Sequence, residues 1–296
     1  MIKAASGKQT EKFETLIQRV SNKGISAQTD TLAVEEPLEI RLGFSENGQQ
    51  IHKAVSITMR SPGNDFELAA GFLFTEGILQ SKDQIREIKH CGKFPNNQNT
   101  VRIDLAENTE INLKKLERNF YTTSSCGVCG KSSLEALNIA GAKAIGQNKS
   151  QKIPAEIIHE LPQKLLKNQT VFGETGGLHA AALFDFAGNL IDLKEDVGRH
   201  NAVDKLIGKR FLENNLPLGD KILFLSGRAS FELVQKAVMA QIPVIAAVGA
   251  PSSLAVEAAK EFNITLLGFV RNERFNIYTG DERVQGSKFK VQSLPS

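Results

Sequence analysis

Hydrophobic and polar positions alternate between two periods in the second half of this chain. Leu178–Phe184 and Leu190–Leu193 are short apolar runs flanking Ala187-Gly188-Asn189, a pattern that predicts a hairpin. A helix is expected from about His200 to Phe211, followed by a buried strand at Ile222-Leu223-Phe224-Leu225. Helix Phe231–Ala240 then leads past Pro243 into strand Val244–Val248, and helix Leu254–Glu261 leads into strand Ile264–Val270. Strands separated by helices of this length point to a parallel sheet with helices on its faces. The expectation is a three-layer α/β/α domain over residues 151–280 with one antiparallel strand at its start.

The first half is less regular. Residues 1–32 are polar and weakly patterned, and read as a frayed or helical lead-in. Partial alternation at Leu38–Leu42 and Ala54–Met59 suggests strands, and another is expected near Val101–Leu105. Between them Asp65–Leu73 reads as a helix, with Asn64 or Asp65 as N-cap and Phe66, Ala69, Ala70 and Leu73 on one face. Residues 33–120 are therefore expected to form a small α+β domain. Residues 121–150 connect the two parts; there Ser132-Ser133-Leu134-Glu135 has capping-box spacing and opens a helix through Ala140. A further helix is expected at Pro154–Leu166, and residues 281–296 form a tail.

Composition narrows the function classes. The 296 residues are 41% hydrophobic and 23% charged, an ordinary balance for a globular protein. A formal charge of +3 gives no nucleic-acid footprint. No run approaches the ~20 apolar residues of a membrane span, and the first thirty residues lack the apolar core of a signal peptide. Three cysteines make no secreted disulfide framework, so a cytoplasmic protein with reduced thiols is expected.

Two of those cysteines, Cys126 and Cys129, sit in the loop Ser124-Ser125-Cys126-Gly127-Val128-Cys129-Gly130-Lys131. Such a polar, glycine-bearing loop suits half a zinc site, a redox pair or a sulfur-carrying nucleophile. Structural zinc needs four ligands, and Cys91 with the scattered histidines would have to converge to supply the rest. A catalytic zinc deaminase needs His-x-Glu and Pro-Cys-x-x-Cys. Here Ala181 stands where that glutamate would be and Ser125 where the proline would be. A helix start near Ser132 and the charge of Lys131 favour thiolate, and a thiolate can take up sulfur as a persulfide.

In an open α/β sheet, ligands bind beyond the carboxyl ends of the strands. Three loops leave that edge: Ser226-Gly227-Arg228, Gly249-Ala250-Pro251-Ser252-Ser253 and Arg271-Asn272-Glu273-Arg274. Each alone reads as a short turn, but together their small residues and arginines suggest a phosphate-bearing ligand. None carries a dinucleotide fingerprint or a P-loop. The segment Glu195–Lys205 is dense in ionisable side chains at a helix start, and His200 is a candidate donor there; a capped, solvated helix end is the plain alternative. His179, next to Gly176-Gly177, has the same ambiguity.

The chain resembles the formate dehydrogenase accessory sulfurtransferases, the FdhD family, from about residue 35 to 280. The resemblance is carried by Ser61-Pro62-Gly63, Glu67–Leu73, Ser124–Gly130, Thr175–Ala181, Asp196–Lys205, Ser226-Gly227-Arg228, Pro251–Ala255, and Arg271 with Asn276–Thr279. It implies a cytidine deaminase-like α/β/α domain with a mixed sheet, in a homodimer. It further implies a sulfur carrier that takes sulfur from a cysteine desulfurase and delivers it to the molybdenum bis-(molybdopterin guanine dinucleotide) cofactor of formate dehydrogenase. By match of positions Cys126 would hold the persulfide, with Cys129 as the second thiol. Phe269, Val270, Arg271, Asn272, Glu273 and Arg274 would contact the cofactor. No metal of the protein's own is implied. Two rival expectations are a non-catalytic cofactor chaperone and a zinc hydrolase of deaminase type.

Overall fold

The computed structural model describes residues 10–46, 48–92, 97–107, 109, 142–146 and 152–286. The loop of Cys126 and Cys129 and the helix expected from Ser132 lie outside the described residues. In chain order the first elements are β1 (Lys12–Ser21), β2 (Gly24–Ala33), β3 (Glu36–Glu46), β4 (Gln49–Arg60), α1 (Asp65–Thr75), β5 (Ile85–His90) and β6 (Thr100–Leu105). Then follow β7 (Ile153–Pro154), α2 (Ala155–Asn168), α3 (Thr170–Thr175), β8 (His179–Asp185), β9 (Leu190–Asp196) and α4 (Arg199–Leu212). The last are β10 (Lys221–Leu225), α5 (Phe231–Met239), β11 (Val244–Ala247), α6 (Ser253–Glu261), β12 (Thr265–Gly268), β13 (Asn276–Thr279) and β14 (Val284–Gln285). The fold is mixed α/β, with four sheets and six α-helices among the described residues.

Two compact units divide the chain. One contains Met1–Gly141, Gln169–Ala181 and Lys194–Leu216; the other contains Ala142–Asn168, Ala182–Leu193 and Pro217–Ser296.

In the first unit, residues 12–33 form the antiparallel hairpin β1–β2, from Lys12 opposite Ala33 to Ser21 opposite Gly24. This corrects the expected frayed or helical lead-in. The strands are rich in Thr, Val and Ile, which favour extended backbone, and Gly24 takes φ +117° at the turn. Apolar residues fall on both faces, Phe13 and Ile17 on one, Leu16 and Val20 on the other, so no alternation shows in the sequence. The four-stranded sheet has order β4-β3-β6-β5, with β3 and β6 parallel and the other pairs antiparallel. Its core face alternates as expected, through Leu38, Ile40 and Leu42 of β3 and Val101, Ile103 and Leu105 of β6.

Helix α1 starts at Asp65 as expected, yet Asp65 caps nothing. Its carboxylate accepts two 3.0 Å bonds from the buried Arg60 guanidinium. Helices α1 and α4 approach so closely that only glycine fits at their contact. A Cβ on Gly71 would stand 1.9 Å from the Asp204 carbonyl oxygen, and one on Gly208 would stand 1.8 Å from that of Glu67. Beside them the Thr75 hydroxyl donates to the Asp204 carboxylate at 2.9 Å.

The second unit centres on a six-stranded sheet of order β13-β12-β11-β10-β8-β9. Strands β10, β11 and β12 are parallel, as the alternation of strands and helices predicts. The last strand, β13, is antiparallel to β12. Its four residues, Asn276-Ile277-Tyr278-Thr279, are too short and polar to announce an edge strand. The parallel strands are buried throughout.

Candidate site at the carboxyl edge of the parallel strands

The three loops expected at the strand ends are bonded into one rim. Val248 N–H donates to Leu225 O at 3.0 Å and Gly249 N–H to Gly227 O at 2.9 Å, joining the loops after β10 and β11. Ala229 N–H donates to Ala250 O, and Ser252 N–H returns to Ala229 O at 3.0 Å. On the other side Phe269 N–H donates to Gly249 O at 3.1 Å and Val270 N–H to Ala247 O at 3.0 Å. Gly249 sits at the centre, where a Cβ would crowd Arg228, 3.0 Å from its Cγ and 3.1 Å from its Cα and N. Ser252 Oγ accepts from Ala255 N–H at 3.2 Å and so caps α6, as its position suggests.

Arg271 ties the rim together with its side chain, donating from Nη1 to Val248 O at 2.8 Å and to Val270 O at 3.1 Å. Its own N–H donates to Arg274 O at 2.8 Å, closing a tight turn over Asn272 and Glu273. A cavity of about 390 Å³ opens here, lined by Pro162, Val248, Val270, Arg271, Asn272, Glu273 and Arg274. That volume is near the lower end of the ~300–1,000 Å³ of small-molecule sites. Five of the six expected cofactor-contacting residues line it. Phe269, the sixth, immediately precedes them, 40% exposed. Ser226, Gly227, Arg228, Pro251, Ser252 and Ser253 belong to the bonded loops beside it, with Arg228 exposed.

Sequence reading did not identify Pro162 or Val248. Pro162 lies inside α2, more than eighty residues before the other lining residues, and no local signal links them. Val248 reads as the end of a buried strand; its carbonyl, rather than its side chain, is what Arg271 uses.

His200 lies in the first turn of α4, within the first unit. Much of the segment around it is consumed by structure. Asp196 is fully buried and accepts from Ser61 N–H at 3.2 Å, Gly198 N–H at 2.8 Å and Asn201 Nδ2 at 3.0 Å. Asn201 also donates to Met59 O at 2.7 Å. His179 begins β8 with its titration pushed below the ordinary imidazole value, first by burial and then by the Arg199 cation, against a smaller opposing pull from Asp196. Arg199 Nε is enclosed without a hydrogen-bond partner. Among the described residues no group of three His, Cys, Asp or Glu converges as metal ligands, and no helix is long and apolar enough to cross a membrane.

Comparison with known proteins places this architecture. Residues 33–285 match the model of the FdhD/NarQ family. A Streptomyces coelicolor protein named Sulfur carrier protein FdhD is 49% identical over 282 residues, covering 94% of this chain and 96% of its own length. The protein of the same name from Picrophilus torridus is 48% identical over 257 residues, 86% of this chain and 92% of its own. The crystal structure of a formate dehydrogenase accessory protein from Desulfotalea psychrophila superposes with a TM-score of 0.69 at 25% identity, covering 93% of this chain and all of that one. The chain thus belongs to the FdhD/NarQ family.

Proposed function

We propose that this protein is a sulfur carrier serving formate dehydrogenase. It takes sulfane sulfur from a cysteine desulfurase onto Cys126 and passes it to molybdenum bis-(molybdopterin guanine dinucleotide), its acceptor substrate. The observation that carries the sulfur-carrier reading is near full-length identity of almost one half to proteins of that name. The acceptor is argued from the cavity, where two arginines and turn amides suit phosphate oxygens. Its volume suits one guanine nucleotide end of the cofactor.

The chemistry balances with two thiols. Cys126 thiolate attacks the outer sulfur of the desulfurase persulfide, which breaks its S–S bond and leaves as thiolate, while the proton stays on the transferred sulfur. Cys129 thiolate then attacks the Cys126 Sγ, forming a disulfide and releasing the outer sulfur as hydrosulfide, reduced by two electrons. That sulfide becomes the terminal ligand on molybdenum, and external thiol reduction of the disulfide resets the carrier. We read the six-stranded sheet as cytidine deaminase-like, without deaminase chemistry because Ala181 replaces the required glutamate. The working form is a cytoplasmic homodimer.

Incubation with desulfurase, cysteine and radiolabelled sulfur tests the donor half. Label should bind the protein and vanish in Cys126→Ala; undiminished label on that variant removes Cys126 from its role. A second reading, a cofactor chaperone without sulfur chemistry, draws on the cavity alone, whose arginines and turn amides would suffice to hold a nucleotide. Full formate dehydrogenase activity in cells carrying Cys126→Ala would select it.

A further inference from the structure

The hairpin β1–β2 carries five of the ten large hydrophobic side chains exposed among the described residues: Phe13, Leu16, Val20, Ile25 and Leu32. Leu16 and Val20 are 80% and 73% exposed. The hairpin is held at its base, where Lys12 pairs with Glu174 at 2.5 Å, and β2 packs against α3. Among the described residues β1 pairs with no strand but β2, so its outer edge is open. A two-stranded ribbon is marginal in water by itself, and a long apolar edge invites a further strand.

The ladder determines what that edge offers. Val34 N–H donates to Glu11 O at 2.9 Å, and the register runs unbroken from Lys12 opposite Ala33. Odd-numbered residues of β1 therefore turn their backbone groups toward β2, and the even-numbered ones turn theirs outward. A second β1 laid antiparallel about a two-fold axis must match outward groups to outward groups, so odd residues face odd residues. Centred on Thr15, this register sets Thr15 opposite the partner's Thr15, Phe13 opposite the partner's Ile17, and Glu11 opposite the partner's Arg19. Paired hydroxyls, aromatic with β-branched, and opposite charges are the cross-strand pairs that stabilise a sheet. All of them fall at non-hydrogen-bonded positions, where side chains approach most closely. Centring on Glu14 or Leu16 instead loses the charge pair, setting Ile17 against the partner's Glu11 or Phe13 against the partner's Arg19. Within the chain Arg19 lies beside the neutral Gln28 amide, and neither Arg19 nor Glu11 makes an ion pair among the described residues.

We infer that β1 is the strand through which two copies of this chain pair, antiparallel and centred on Thr15, into one four-stranded sheet. The inference rests on the homodimer proposed above and adds to it a surface and a register. It explains why β1 is apolar on both faces, since pairing at an edge extends both faces at once. One face gains the Phe13 and Ile17 contacts. On the other, Leu16 and the partner's Leu16 meet diagonally across the axis, within reach of long side chains. The two Glu14 carboxylates take the crossing diagonal, exposed to solvent, where screening keeps their repulsion small.

Sedimentation of the full chain across concentration provides the test, and the parent should dimerise. Arg19→Glu sets carboxylates against each other at both ends of the interface and should weaken dimerisation about tenfold or more. Glu11→Arg should do the same with guanidinium groups. An equimolar mixture of the two variants should recover the parent affinity as a heterodimer, because each end then joins opposite charges. Thr15→Cys should cross-link two chains under diamide. Gln18→Cys should not, because its two copies would stand about 20 Å apart along the strands. A dimer indifferent to both charge reversals, or a mixture no tighter than either variant alone, overturns β1 as the interface and leaves the homodimer standing. A parent that stays monomeric at every concentration overturns both. Labelled-sulfur uptake on the same preparations reports on the carrier chemistry separately.

Discussion

Lys205 holds its ammonium 2.7 Å from the Asp196 carboxylate, and both side chains are almost wholly shut off from solvent. The same ammonium donates to the Ser61 carbonyl at 2.8 Å, and Val197 N–H donates to the Ser61 hydroxyl at 3.2 Å. Residues 58–61 and 196–205 are thereby sewn into one buried polar network. Its members are hydrogen-bonded to one another, which is the condition under which buried charge is tolerated.

Removing one partner should therefore be severe. Lys205→Met strands the Asp196 carboxylate in the interior, at a cost of about 3–5 kcal/mol. Paired replacement with Asp196→Asn should restore part of that loss, because no uncompensated charge then remains. Urea unfolding of the two single variants and the double variant measures the coupling. Additive losses would show that the two groups do not act as a pair.

The contact of α1 with α4 supplies a second expectation. Alanine normally favours a helix over glycine by about 1 kcal/mol. At Gly71 and Gly208 the added Cβ would instead meet backbone oxygens at 1.9 and 1.8 Å, which no rotamer change relieves. The steric term wins, and either substitution should destabilise by more than about 2 kcal/mol. Gly173 in α3 has nothing within 4 Å of such a Cβ, so Gly173→Ala should be neutral or slightly stabilising. Thermal melts of all three variants decide whether helix approach or propensity governs these positions.

These two cases show what the sequence could reveal. The parallel strands were legible because each is a short apolar run bounded by Gly, Pro or Ser, and their order placed three loops on one edge. Helix α1 was legible from its 3.6-residue period. The hairpin β1–β2 was not, because its apolar residues fall on both faces and cancel the two-residue period. The 195–205 segment read either as donors at a helix start or as a capped, solvated helix end, because sequence shows charge but not burial: Asp196 and Lys205 neutralise each other inside. The cavity was legible on its loop side, where arginines and turn residues adjoin, and hidden at Pro162, whose proximity is purely tertiary.

His179 makes a pH-dependent prediction. Burial and the Arg199 cation both favour the neutral imidazole, so its folded titration lies below the ordinary value of 6.5. The unfolded chain therefore binds a proton first as pH falls, and the associated stability is present above that value and lost as pH drops through the folded titration. Melting temperature should decline below about pH 6.5 by a component absent from His179→Gln. In a histidine NMR titration, Arg199→Gln should move the His179 midpoint upward by removing the second cause. A midpoint that stays fixed would show that burial alone sets it.

Arg271 links the structure of the rim to the nucleotide binding proposed for it. Its side chain is exposed, so Arg271→Ala should cost little stability; two carbonyls lose a donor but gain water. Guanosine diphosphate affinity should nevertheless fall about tenfold or more, the range for charge-assisted bonds to an anion. Lysine should rescue only part of this, because its single ammonium cannot serve the Val248 and Val270 carbonyls and a phosphate fork together. Calorimetry across ionic strength separates charge from geometry. The parent should show a steep loss of affinity with salt and Arg271→Ala a shallower one. Parallel salt dependences would mean that Arg271 braces the rim without meeting the phosphates, and the anion would then have to be held by Arg274 and the turn amides alone.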